Sequence, residues 1–149
     1  MLWKCKTFDE LTLQEFHNIL QLRINVFIVE QNCPYSELDN KDKLAYHLFA
    51  FSEEKPQEII AYSRIFKPGD YYQEAAFGRV AVHSKYRKQK LGYQLVKKTV
   101  EKIDILFNNP TIKIGAQIYL KEFYKYFNFK QIEEEYIEDG IPHISMIRN

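Results

Sequence analysis

Apolar and polar residues alternate at the start of the chain. Trp3, Cys5 and Thr7 fall on one side, Lys4 and Lys6 on the other, which predicts a short first strand. Thr12 precedes Glu15 at the spacing of a capping box and marks a helix start. Phe16, Ile19, Leu20, Arg23, Val26 and Phe27 then recur at helical spacing, so one stripe of this helix is expected to be buried as far as about Val29. Cys33-Pro34-Tyr35 ends regular structure, and Asp39-Asn40-Lys41-Asp42 is polar turn material. Residues 45–51 and 58–66 read as an antiparallel strand pair joined by Glu53-Glu54-Lys55-Pro56. After a loop at Pro68-Gly69-Asp70, residues 76–83 form the next expected strand. Leu91, Leu95, Val96, Val100, Ile103 and Phe107 predict a long helix, which Asn108-Asn109-Pro110 stops because proline cannot continue it. Residues 112–118 read as a strand and 120–127 as a short helix carrying Phe123 and Phe127. Strands at 129–137 and 143–147, turned by Glu138-Asp139-Gly140, complete the pattern.

The predicted order is βαβββαβαββ. Strands outnumber helices and hairpins dominate the middle, which argues for an α+β fold with a mixed sheet. The chain of 149 residues is the usual size of one domain, and its 46% apolar residues, tyrosine and tryptophan included, suffice for a core without disulfides or metals. Eleven tyrosines and eleven phenylalanines exceed structural need, which suits a pocket lining or a homodimer interface.

Lys plus Arg number 21 against 20 Asp plus Glu, so no net field draws the chain to nucleic acid or an anionic membrane. The charge is local instead. Residues 83–98 hold Lys85, Arg87, Lys88, Lys90, Lys97 and Lys98 with no acid, whereas Glu133-Glu134-Glu135 and Glu138-Asp139 are wholly acidic. That polarity suits an anionic ligand beside a site that welcomes a cation. Cys5 and Cys33 describe no disulfide scaffold and read as free thiols in a reducing compartment. Nothing reads as a membrane span, and Lys4, Lys6, Asp9 and Glu10 interrupt any signal-peptide core, so a cytoplasmic location is expected. His17, His47, His83 and His143 are far apart and no CxxC unit occurs, so no metal site is expected. Nothing beyond Pro34 marks Cys33 as a nucleophile.

The chemistry concentrates in residues 78–92, where a strand enters a basic turn that opens the long helix. A helix start presents unpaired N–H groups and the positive end of its dipole, a ready site for a diphosphate. Arg87 and Lys88 add charge, and Gly92 permits close approach. The segment is neither a nucleotide P-loop nor a dinucleotide fingerprint.

This segment resembles motif A of the GNAT superfamily of N-acetyltransferases, Arg/Gln-x-x-Gly-x-Gly/Ala. Arg87 and Gly92 match, and Lys90 occupies the first glycine position. The whole chain resembles the ElaA-like branch. The shared words are residues 22–31, Cys33-Pro34-Tyr35, Glu37-Leu38-Asp39, Gly78-Arg79-Val80, Phe123-Tyr124 and residues 138–143. The resemblance implies one GNAT domain over residues 1–149, with a splayed sheet that admits the pantetheine arm of acetyl-coenzyme A. It implies that Val80, Ala81 and Val82 bond that arm through their backbone. The amides of Lys88, Gln89, Lys90, Leu91 and Gly92, with Arg87, would hold the pyrophosphate.

It further implies that Tyr124 reaches the thioester sulfur and donates a proton to the leaving thiolate. His143 and Glu30 are the candidates for the base. Glu30 also suits the binding of a cationic amine. The acceptor surface is expected to draw on Arg23, Phe27, Tyr35 and His47. Arg79 and Asp139 complete it beside Glu30 and His143. Arg23 lies on an apolar stripe and needs a carboxylate, either from the protein or from the acceptor. The expected activity is acetyl transfer to the amine of a small molecule by direct attack. A coenzyme A sensor and a protein N-terminal or lysine acetyltransferase are the alternatives.

Overall fold

The computed structural model describes all 149 residues. An eight-stranded sheet forms the body. Its strands are β1 (Leu2–Thr7), β2 (Tyr46–Phe51), β3 (Ile59–Phe66), β4 (Ala75–Val82), β5 (Ile112–Gln117), β6 (Lys130–Gln131), β7 (Tyr136–Glu138) and β8 (Ile141–Arg148). The order is β1-β2-β3-β4-β5-β8-β6, with β7 also on β8. Only the β4–β5 pair is parallel. The helices are α1 (Leu13–Ile24), α2 (Leu91–Phe107) and α3 (Lys121–Lys125). This is the mixed, helix-flanked sheet that the patterning implied.

The caps form as the sequence dictates. Thr12 Oγ1 accepts from Glu15 N at 3.0 Å and Glu15 Oε1 accepts from Thr12 N at 3.0 Å, which closes the box at the head of α1. Asn108 and Asn109 adopt left-handed conformations after α2 and return their amides to Asp104 O, so the helix ends before Pro110. α1 and the turn that follows it cover one face of the sheet, with Ile19, Leu22 and then Val26 on Phe49, Tyr62 and Ala81. α2 covers the other with Leu91, Leu95, Val96, Val100 and Ile103. β3 is buried at every position because it lies beneath both helices. Its polar residues find partners: Ser63 Oγ meets Thr99 Oγ1 at 2.7 Å, and Thr99 donates to Leu95 O.

Three elements differ from expectation. The expected last-but-one strand is broken into β6 and β7: Ile132 N still bonds to Ser145 O at 3.1 Å, but residues 133–135 leave β8. The first helix does not run on as an α-helix. Residues Asn25–Val29 form a π-helical turn, with Glu30 N bonded to Asn25 O at 3.0 Å. One extra residue in a turn rotates the downstream residues by about 100°, and such turns cluster at functional sites. The third difference is a bulge in β4. Arg64 faces Gly78 and Tyr62 faces Ala81, so Arg79 and Val80 together oppose Ser63. Arg79 takes φ +48°, a left-handed conformation that costs a residue with a β-carbon about 1–2 kcal/mol.

Candidate functional site

β4 and β5 share only two rungs, Ala75 with Ile112 and Ala76 with Lys113. Beyond them the strands part, and a cleft of about 600 Å³ opens between them. β4 lines it with Phe77, Gly78, Arg79, Val80 and Val82, and β5 with Ile114, Gly115, Ala116 and Gln117. Ile114, Ala116, Ile144 and Met146 belong to the core beneath α2 and α3. By strand alternation Gly115 and His143 therefore face the α1 side. Tyr124 reaches the cleft from the α3 side, so the two groups meet it from opposite faces of the sheet.

At the α2 end, Lys90 has φ +58° and supplies no side-chain cap. The first α2 bond runs from Gln94 N to Lys90 O at 3.2 Å. The amides of Leu91, Gly92 and Tyr93 are thus the helix's free donors. The expected diphosphate cradle thus spans two elements. Lys88 and Gln89 fall in a 3-10 helix, Ser84–Gln89, whose bonds close locally, and neither they nor Lys90 line the cleft. The Leu91 side chain is core. A β-carbon on Gly92 would meet no protein atom within 4 Å, so its openness belongs to the cleft and not to helix packing. Ala81 points away, under α1. Arg87 lines the cleft, donates from Nε to Val82 O at 3.0 Å and places Nη2 2.6 Å from Glu30 Oε1.

Tyr124 is 5% exposed and packs against Phe77, Phe123 and Phe129. Burial pushes its phenol far above the ordinary value of 10, so it stays protonated. His143 sets Nδ1 2.7 Å from Ile141 O. A carbonyl only accepts, so Nδ1 carries the proton and Nε2 holds the free lone pair. Nε2 lies 3.5 Å from Glu138 Oε2. The imidazole stacks on Tyr136 at 5.8 Å.

Phe27, Glu30, Tyr35, Arg79 and Asp139 line the cleft as expected sites would. Two expected acceptor residues do not. Arg23 is fully buried, with Nε 2.6 Å from Glu37 Oε2 and Nη1 2.9 Å from Asp42 Oδ1. Its carboxylates come from the protein, so it ties α1 to the following loop. His47 is fully buried too, between Tyr62 Oη at 2.6 Å and Asp42 O at 2.9 Å.

Burial lowers the His47 pKa below the ordinary 6.5. The unfolded chain therefore binds this proton more readily than the folded one. The stability it confers is complete above about pH 6.5 and is lost as pH falls through the lower folded value, by up to about 1.4 kcal/mol per pH unit. His47→Gln is expected to flatten the decline of unfolding free energy on the acid side of pH 6.5, measured by urea titration; an unchanged slope would rule His47 out as its source.

Several cleft residues escaped the sequence reading. Phe66, Tyr71 and Tyr72 form an aromatic wall, with Tyr71 stacked on Phe66 at 5.0 Å and edge-on to Tyr72 at 4.8 Å. The surplus of aromatic residues was their only signal. Gly115 had a clearer one, since a glycine inside a strand marks a close approach. Its missing β-carbon would lie 2.6 Å from Tyr136 Oη. Cys33 lines the cleft and donates from Sγ to Asp139 O at 3.3 Å. No group of three or more His, Cys, Asp or Glu side chains is arranged to hold a metal. No helix is long and apolar enough to cross a membrane.

The profile of the acetyltransferase (GNAT) domain matches residues 14–149. The Escherichia coli protein ElaA is 39% identical over 148 residues, covering 98% of this chain and 95% of ElaA. The crystal structure of E. coli ElaA superposes with a TM-score of 0.91 over 99% of both chains, at 37% identity. That of an acyl-CoA N-acyltransferase from Pseudomonas aeruginosa superposes with a TM-score of 0.93 over 99% of both chains, also at 37% identity.

Proposed function

The chain belongs to the GNAT acetyltransferase family, close to ElaA, and from that premise we propose that it transfers an acetyl group from acetyl-coenzyme A to the amine of a small molecule. The observation that carries this reading is the opening of the sheet after Ala76 beside an uncapped helix start. A diphosphate fits the free amides of Leu91, Gly92 and Tyr93, with Arg87 alongside. The pantetheine arm then lies along the edge of β4 that has left β5, at Val80 and Val82, where Arg87 already holds the Val82 carbonyl.

The acceptor enters from the α1 side, where Glu138 and Asp139 attract an ammonium group and Phe66, Tyr71 and Tyr72 cover its apolar part. His143 Nε2 takes the proton that the amine must lose before it can attack. Glu30 is spent on Arg87 and serves the donor end, which leaves His143 as the base. The amine nitrogen attacks the thioester carbon. The tetrahedral adduct collapses as the carbon–sulfur bond breaks, and the Tyr124 hydroxyl hydrogen-bonds the departing sulfur. Holding both reactants together makes a covalent enzyme intermediate unnecessary.

The test is mass spectrometry of acetyl-coenzyme A incubated with the protein and a panel of small amines, amino acids and peptides. An acetylated small amine formed together with free coenzyme A is the expected result. Thioester that binds but survives every acceptor would overturn the enzymatic reading in favour of a sensor. Acetylation of peptides alone would overturn the small-molecule acceptor.

A further inference from the structure

Arg79 stands in the middle of β4 in a conformation that suits glycine, yet it carries a long charged side chain. That side chain is held. Its Nε donates to Glu37 Oε2 at 2.9 Å, its Nη2 lies 3.7 Å from Asp39 Oδ2, and its guanidinium covers the Tyr35 ring at 5.7 Å. Glu37 is itself fixed. It is 4% exposed and also accepts from Arg23 Nε at 2.6 Å and from Tyr35 Oη at 2.6 Å. The segment after the π-helical turn is thereby clamped onto the β4 bulge. The bulge lies on the stretch of β4 that has left β5, and Gly78, Arg79 and Val80 all line the cleft.

We propose that Arg79 is a positioning residue: gripped by Glu37, its side chain holds the bulge in the left-handed conformation that turns the free edge of β4 toward the acyl donor. A bulge both bends its strand and breaks its ladder, so it decides which backbone groups face the cleft. The conformation is unfavourable for a residue with a β-carbon and persists because the surroundings over-determine it. This inference rests on the reading of the cleft as the donor site.

The test compares wild type with Arg79→Gly, Arg79→Asn and Arg79→Ala. The readouts are the acetyl-coenzyme A dissociation constant, steady-state kinetics, and amide hydrogen exchange of residues 78–80 without ligand. Alanine loses the clamp and still resists the left-handed conformation, whereas glycine adopts it freely and asparagine tolerates it. Alanine is expected to weaken acetyl-coenzyme A binding about tenfold and to speed exchange across the bulge, with glycine and asparagine recovering most of both. An alanine variant that fails to fold beside a folded glycine variant is the same result in its extreme form.

A merely stabilising arginine gives the reverse order, because glycine in a strand is worse than alanine. Equal losses in all three variants would show direct contact between the guanidinium and the ligand. Either outcome overturns the proposal. A wild-type protein that binds no acetyl-coenzyme A sinks the donor reading separately. The exchange rates, read without ligand, still decide whether the clamp holds the bulge.

Discussion

Phenylalanine in place of Tyr124 is expected to lower kcat for acetyl transfer about 10²-fold or more, while the dissociation constant of coenzyme A changes by less than about threefold. The substitution removes one oxygen from a ring packed among Phe77, Phe123 and Phe129, so no cavity opens and the fold should hold. What is lost is the hydroxyl proposed to hydrogen-bond the sulfur as negative charge develops on it. Because burial drives the phenol's pKa upward, its ionisation contributes no alkaline limb near neutrality, and the shape of the rate–pH profile should survive the change. Steady-state kinetics with an identified acceptor checks this. A kcat within about twofold of wild type would remove Tyr124 from the chemistry.

Arg23→Met is expected to destabilise the fold by about 3–5 kcal/mol. The arginine is wholly buried and sits between Glu37 and Asp42, which are 4% and 3% exposed. Methionine keeps much of the volume but removes the charge that both carboxylates face. Arg79 still reaches Glu37 and Arg64 still reaches Asp42 at 3.0 Å, which favours the lower end of the range. Arg23→Lys keeps the charge without the fork and is expected to fall between the two. Urea unfolding measures the difference. A loss under about 1 kcal/mol would mean that the remaining arginines satisfy the pair alone.

Local signals in the sequence were sufficient for elements whose causes are local. The capping box of Thr12 and Glu15, the apolar stripe of α2 and its stop at Asn108-Asn109-Pro110 all formed as patterned. The sheet's mixed character followed from hairpin spacing. What stayed hidden depends on register and on distant partners. Nothing local in residues 25–29 signals an extra residue in the turn, yet that turn precedes Glu30, whose partner is Arg87. Arg23 on its apolar stripe called for a carboxylate without saying whether protein or acceptor supplies it, and His47 had only the family resemblance behind it. Here they are buried polar groups whose partners arrive from the loop around Glu37 and Asp42. A basic turn and a helix start look alike in sequence; in the structure Lys88 and Gln89 lie in the 3-10 helix Ser84–Gln89, whereas the free amides of α2 are those of Leu91, Gly92 and Tyr93. The aromatic wall of Phe66, Tyr71 and Tyr72 had only composition behind it. The resemblance in words such as Phe123-Tyr124 pointed to Tyr124, which eleven tyrosines alone would not single out, and the structure sets Tyr124 against the cleft.

The most direct check of the donor site is backbone hydrogen exchange measured with and without acetyl-coenzyme A. Slower exchange confined to residues 78–82 of β4 and to Leu91, Gly92 and Tyr93 is the expected result. Added thioester that leaves both stretches unchanged, or protects only the surface between Gln14 and Lys55 outside the cleft, would contradict it.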